Sequence, residues 1–112
     1  MAAKFEIDKS SDDQFIFRLV SEDGEKILKG ERYTAKHNCK KGIKSVQDRA
    51  EDDDNYDKKK DEAGKFRFNI VARENDEVVG TSVKGYDTES ERDDVIKQVK
   101  RDAPKAEIKD LT

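Results

Sequence analysis

Two stretches of this chain, residues 5–50 and 56–103, are versions of the same text. Laid over one another, Phe15-x-Phe17-x-Leu19 falls on Phe66-x-Phe68-x-Ile70, and Ile27-Leu28 on Val78-Val79. Tyr33 falls on Tyr86, and Ile43-x-x-Val46 on Ile96-x-x-Val99. A tandem duplication limits the fold sharply, because one supersecondary unit must be built twice and the two units must pack together. The expected organisation is a single domain over residues 1–112, with repeats at about 4–54 and 55–112.

Within a copy, hydrophobic period identifies the elements. Phe5-x-Ile7 alternates briefly, and Gln14 to Val20 alternates strongly, with Phe15, Phe17 and Leu19 on one face. Asp23-Gly24, and Asn75-Asp76 at the same place in copy two, tolerate positive φ and are expected at the centre of a tight hairpin. A third strand follows around Lys26 to Leu28, closed off by Gly30, or by Gly80 and Gly85 in copy two. The period then lengthens. Cys39, Ile43, Val46 and Ala50 form one stripe of a helix opened by Thr34 or Ala35, and Arg92, Ile96, Val99 and Ala103 repeat it. Thr88-x-x-Glu91 has the form of a capping box, and Pro104 stops the second helix. Ala106 to Lys109 reads as a last short strand with Ile108 inward. The expected fold class is α+β: two β-β-β-α repeats plus a short final strand, sharing one antiparallel sheet with two helices on one face and a pseudo-two-fold axis.

Composition explains why the copies must stay together. The chain is 32% hydrophobic and 46% charged, and Leu, Ile, Val and Phe make up only about a fifth of it, a level at which disorder competes with folding. Net charge is only -3, and the apolar residues recur periodically at matching points, so the chain is read as folded around a thin core. A unit of about 50 residues with so little apolar surface does not offset its chain entropy alone. Two units can share one core.

The Phe-x-Phe-x-Leu strand, Gly24, Tyr33 and the helix run CKKGIKSV over residues 39–46 resemble the YegP-like family of small bacterial and archaeal proteins over nearly the whole chain. The resemblance implies a β(3)-α-β unit, two of which form a single sheet with exchange of their final strands. It implies no activity, catalytic residue or cofactor. Copy two departs from the pattern: Val95 stands where copy one has Gly42, Gln98 at Ser45, Arg92 at Cys39 and Lys58 at Ile7. Glycine inside a helix costs up to about 1 kcal/mol relative to alanine, so Gly42 is expected to allow close helix–sheet contact, and the second helix to pack farther out.

Candidate chemistry is sparse. His37, the only histidine, lies two residues from Cys39, a spacing that points the pair to different helix faces and supplies no metal set. Cys39 belongs to the apolar stripe and is expected beneath the first helix. Ser10, Ser11 and Ser45 lack a base. Gly80-x-x-x-x-Gly85 lacks the lysine and hydroxyl residue of a phosphate loop. The expectation is no enzyme, no cofactor and no metal. The start of the chain is charged at once, without the apolar run of a secretory signal or membrane span, and a single cysteine suits a reducing compartment. A cytoplasmic location without membrane contact is expected.

The leading functional reading is a non-catalytic cytoplasmic binding or protein-interaction module. If both helices cover the Phe15–Phe17–Leu19 face, alternation sends Ile16, Arg18, Val20 and Leu28, with Arg67, Asn69, Val71 and Val79, to an open face. Ile16, Arg18, Val20, Arg67, Asn69 and Val71 are the candidate site, for a protein partner or self-association. The alternative is weak nucleic-acid or polyanion binding through Lys36, Lys40, Lys41 and Lys44 of the first helix, disfavoured by the slight acidic excess, 27 Asp and Glu against 24 Lys and Arg.

Overall fold

Alternation and helical period produce the elements where they are strongest. The computed structural model describes residues 2–112. In chain order these form β1 (Lys4–Lys9), β2 (Phe15–Val20), β3 (Lys26–Lys29), α1 (Lys36–Arg49), β4 (Tyr56–Lys60), β5 (Phe66–Ala72), β6 (Glu77–Ser82), α2 (Glu89–Asp102) and β7 (Glu107–Asp110). Short 3-10 turns at Asp53–Asn55 and Ala103–Lys105 follow the helices. All strands join one seven-stranded sheet in the order β4-β5-β6-β3-β2-β1-β7. The copies meet at β3–β6, where Leu28 faces Ser82 and Lys29 faces Thr81. The strand after α2 returns to β1 of the opposite copy and runs parallel to it, so the sheet is mixed. The other pairings are antiparallel.

Both helices lie on one face. Ile43 and Val46 of α1, with Ile96 and Val99 of α2, share a single buried cluster with Phe5, Ile7, Phe17, Leu19, Phe68 and Ile70. Phe17 is fully enclosed: Phe5 meets it edge-on at 6.0 Å, Tyr33 stacks on it at 6.3 Å, and Gly30 and Gly42 close in behind. A Cβ on Gly42 would stand 2.3 Å from the Tyr33 hydroxyl oxygen, so this glycine does let α1 approach closely. In α2, Val95 packs against the same core from a half-buried position.

Four local expectations need correction. Of each proposed turn pair, only Gly24 (φ 88°) and Asp76 (φ 55°) are left-handed, because the first hairpin is a three-residue turn with Ser21 N–H bonded to Glu25 O rather than a two-residue one. A bulge then shifts register in both copies. Leu19 faces Leu28 while Val20 faces Lys26, and Ile70 faces Gly80 while Val71 faces Val78. Ile27 and Val79 are the extra residues, so Ile27 corresponds to Val79 and Leu28 to Gly80, one position off the sequence alignment. Leu28 and Val79 therefore join the core and not the open face. Gly80 lies inside β6 instead of ending it, and the space over it is occupied by the Leu28 side chain, 3.3 Å from where a Cβ would stand. Finally, Ile108 is not inward: it is 44% exposed on edge strand β7, beyond the reach of the helices.

Helix ends follow chemistry. Thr88 caps α2, its hydroxyl accepting from Glu91 N–H at 3.1 Å, while the Glu91 carboxylate takes the Thr88 hydroxyl at 3.3 Å; α1 opens at Ala35 with no side-chain cap. Cross-copy ties fasten the ends of the sandwich. Gln47 of α1 donates to the carbonyls of Ala103 (3.2 Å) and Ala106 (3.1 Å), and the Tyr56 hydroxyl donates to Ala50 O at 2.7 Å.

Phe17 offers a direct test of this packing. A Cβ at Gly30 would lie 2.0 Å from the Phe17 ring, which is fully buried and cannot withdraw. Overpacking of a filled core costs about 1–3 kcal/mol, more than the roughly 0.4–1 kcal/mol that alanine recovers over glycine through the unfolded chain. Gly30→Ala is expected to lower stability by about 2 kcal/mol in urea unfolding; an unchanged midpoint would show that the ring is not pinned.

Candidate functional site

Register determines which side chains share the face away from the helices. One row crosses the entire sheet: Asp57 faces Asn69, Asn69 faces Thr81, Thr81 faces Lys29, Lys29 faces Arg18, Arg18 faces Glu6 and Glu6 faces Lys109. Every member of this row is polar. No helix lies over it among the described residues, since both helices pack on the opposite face.

The candidate residues sit in or beside this row, but not as an apolar patch. Arg18 and Asn69 belong to it at equivalent positions of the two copies. Ile16 and Arg67 are half-buried one step along their strands. Val20 and Val71, expected to be exposed, are 5% and 2% exposed. Long side chains account for part of this: Lys4 and Lys26 flank Val20 directly, and lysine stems cover apolar surface while their ammonium groups reach water. Ile16, Val83, Lys26, Lys29 and Arg18 line a shallow depression of about 680 Å³.

The two arginines are held by acids of their own copy. Arg18 Nη2 lies 3.2 Å from Asp8 and 3.7 Å from Glu6, and Arg67 Nε lies 2.7 Å from Asp61. The Asp8 carboxyl is lowered first by the Lys9 backbone N–H and then by Arg18; that of Asp61 is lowered first by Arg67. Four lysines on this face have no acid within ion-pair distance among the described residues: Lys109 at the end of the row, and Lys26, Lys29 and Lys59 toward its middle and far side. Lys59 instead reaches the Asn69 side-chain oxygen at 3.1 Å, in the amide orientation that also turns the Asn69 nitrogen to Thr81 Oγ1 at 2.6 Å. Sequence reasoning missed Lys26, Lys29 and Lys59 because it tracked apolar alternation and not cross-strand charge.

The other candidates are dispersed. His37 is exposed, and Cys39 is fully buried, burial first and the charge of Asp110 second pushing its thiol up to about 11. Ser10 hydrogen-bonds Asp12 within a turn. Among the helix lysines, Lys36 pairs with Asp110 at 2.7 Å and Lys44 with Asp48 at 3.4 Å, leaving Lys40 and Lys41 exposed. Among the described residues no cluster of metal-ligating side chains forms, and no helix is long and apolar enough to cross a membrane.

Copy two carries its substitutions as a matched set. Lys58, where copy one has buried Ile7, reaches Asp93 of α2 at 3.2 Å, and Arg92, where copy one has Cys39, donates to Asp93 at 3.1 Å. The Arg92 guanidinium also lies 5.5 Å from the Phe66 ring centre. Burial raises the Asp93 carboxyl, but Lys58 and Arg92 outweigh it and the net shift is downward.

This architecture defines a duplicated small α+β domain, and comparison with known proteins places it. The profile of the Domain of unknown function (DUF1508) matches residues 10–57 and again 61–110. The UPF0339 protein YegP of Escherichia coli K12 is 41% identical over 112 residues, covering 100% of both chains. A UPF0339 protein from the ptx operon 5' region of Stutzerimonas stutzeri is 42% identical over 108 residues, or 96% of each. The solution structure of Escherichia coli YegP, a protein of unknown function, superposes with a TM-score of 0.91 over 100% of this chain and 95% of that one. A UPF0339 protein of Shewanella oneidensis gives 0.90 at 39% identity, over 100% and 93%. The chain belongs to the YegP-like UPF0339 family of tandem DUF1508 proteins.

The Lys36–Asp110 pair ties the end of β7 to α1 and carries a pH signature. Hydrogen bonds from Lys36 first, and from Thr112 next, hold the Asp110 carboxyl well below the usual carboxylate range. A depressed folded value gives stability that is present above the unfolded value of about 3.9 and is lost as pH falls through the folded one. Asp110→Asn is therefore expected to be less stable than the parent at pH 7, with the gap closing progressively below about pH 4. Urea unfolding of both proteins across this range checks it; a gap independent of pH would remove the ion pair from the account.

Proposed function

We propose that this protein is a non-catalytic cytoplasmic interaction module whose working surface is the open face of the sheet. The observation that carries the reading is the uninterrupted polar row from Asp57 to Lys109, with Lys29 within it and Lys26 and Lys59 beside it lacking acidic partners. Lysines left unpaired on a rigid sheet are positioned without further ordering of the backbone, which favours binding. The acids Asp57 and Glu6 within the same row select a partner of mixed charge, meaning a protein surface, over a uniformly anionic nucleic acid. The row draws from both copies and exists only when they are joined, so duplication creates the surface as well as the core.

Charge reversal separates surface from fold. Lys29→Glu with Lys59→Glu is expected to change stability by no more than about 0.5 kcal/mol each, as ordinary surface substitutions do, while abolishing recovery of the partner that the parent captures from its own cells. Recovery of the same partner in the same amount by the double variant would defeat the reading.

A further inference from the structure

The two edges of the sheet differ in a way that selects an occupant for one of them. At one edge β4 carries Lys58, Lys59 and Lys60, a same-sign run that repels another strand. At the other, β7 reads Glu107-Ile108-Lys109-Asp110, each residue exposed, with charges that alternate in sign. The large exposed apolar side chains of the described residues, Ile108 and Leu111, both belong to this edge or adjoin it.

Backbone parity restricts what can pair here. Leu111 N–H donates to Ile7 O at 2.8 Å, so Glu107, Lys109 and Leu111 turn their backbone groups inward to β1, while Ile108 and Asp110 turn theirs outward. An antiparallel second copy must then make its hydrogen-bonded pairs between these outward residues. If Asp110 faces Asp110 of the second copy, like charges oppose. If Ile108 faces Asp110 of the second copy, Lys109 opposes Lys109 of the second copy. The third register places Ile108 on the two-fold axis opposite Ile108 of the second copy, and Glu107 opposite Lys109 of the second copy, twice. In that register the open-face row reads Lys4, Glu107, then Lys109 and Glu6 of the second copy, alternating in sign across four strands, because Lys4 already faces Glu107 and Glu6 already faces Lys109. On the helix side, the neighbour of Ile108 along the strand, Asp110, is already neutralised by Lys36.

We propose that β7 is the pairing edge of a symmetric dimer of this chain, joined antiparallel with Ile108 on the axis. The dimer continues the sheet to fourteen strands, twice the seven of one chain. This edge lies away from Lys29 and Lys59, the lysines whose reversal tests partner binding, so the dimer stands or falls independently of that test. Four paired residues bury less than a standard interface, so association is weak and is read at high protein concentration.

The test uses full-length chains in sedimentation equilibrium at low salt, from about 10 µM to 1 mM, the range suited to a contact of this size. The parent is expected to self-associate. Glu107→Lys alone and Lys109→Glu alone each oppose like charges twice in their own dimers and should associate at least about tenfold more weakly. Mixed in equal amounts, the two variants restore both opposite-charge pairs and should associate as the parent does. Should either variant fold poorly, the amide shifts of the parent with concentration give a second measurement, expected to concentrate at residues 106–111. A parent that stays monomeric, single variants that associate as well as the parent, a mixture no tighter than its components, or concentration-dependent shifts centred elsewhere would overturn the proposal.

Discussion

Leu28 lying over Gly80 is the contact on which the rest of the structure depends. The two residues occupy equivalent places in the two copies, on the strands that meet at the centre of the sheet. Had both been leucine, two side chains would compete for one space at the pseudo-two-fold axis. With glycine on one side, Leu28 is fully buried, and complete burial of a leucine contributes about 1.5–3 kcal/mol. The copies have diverged into complementary halves. Helix α1 then packs on β2 of its own copy and on β5 and β6 of the other, which makes the core common property.

A thin core explains how copy two could change its character without losing the fold. At the positions of the apolar Ile7 and Cys39, copy two carries two positive charges, an exposed Lys58 and a buried Arg92. Together with Asp93 they bridge strand and helix. Isolated surface pairs contribute little, but Arg92 is 6% exposed and also covers Phe66, so here hydrogen bonding and packing act at one position.

Much of the fold was legible because period is a strong signal. The Phe17 and Phe68 faces, both helical stripes, the Thr88 cap and the close approach at Gly42 all follow from side-chain spacing. The misses share a cause: each depends on how strands are paired, which a linear pattern does not contain. The bulges at Ile27 and Val79 turned two predicted outward residues inward. Ile108 has the right parity for the core, since it faces Phe5, yet lies past the edge of the helices. Val20 and Val71 are on the open face as alternation demands, but that face is not a bare one. The candidate surface was thus found by location and misjudged in composition: its distinguishing residues are lysines set in a polar row, visible only once register is known.

The central claim is that two copies make one cooperative unit. Residue-resolved NMR of the full chain through a urea titration tests it most directly, by comparing the amides of Leu19 and Ile43 in copy one with those of Ile70 and Val99 in copy two. A shared core and the Leu28–Gly80 seam predict one midpoint for all four. Two separated midpoints, with one copy keeping its native signals after the other has lost them, would contradict the account.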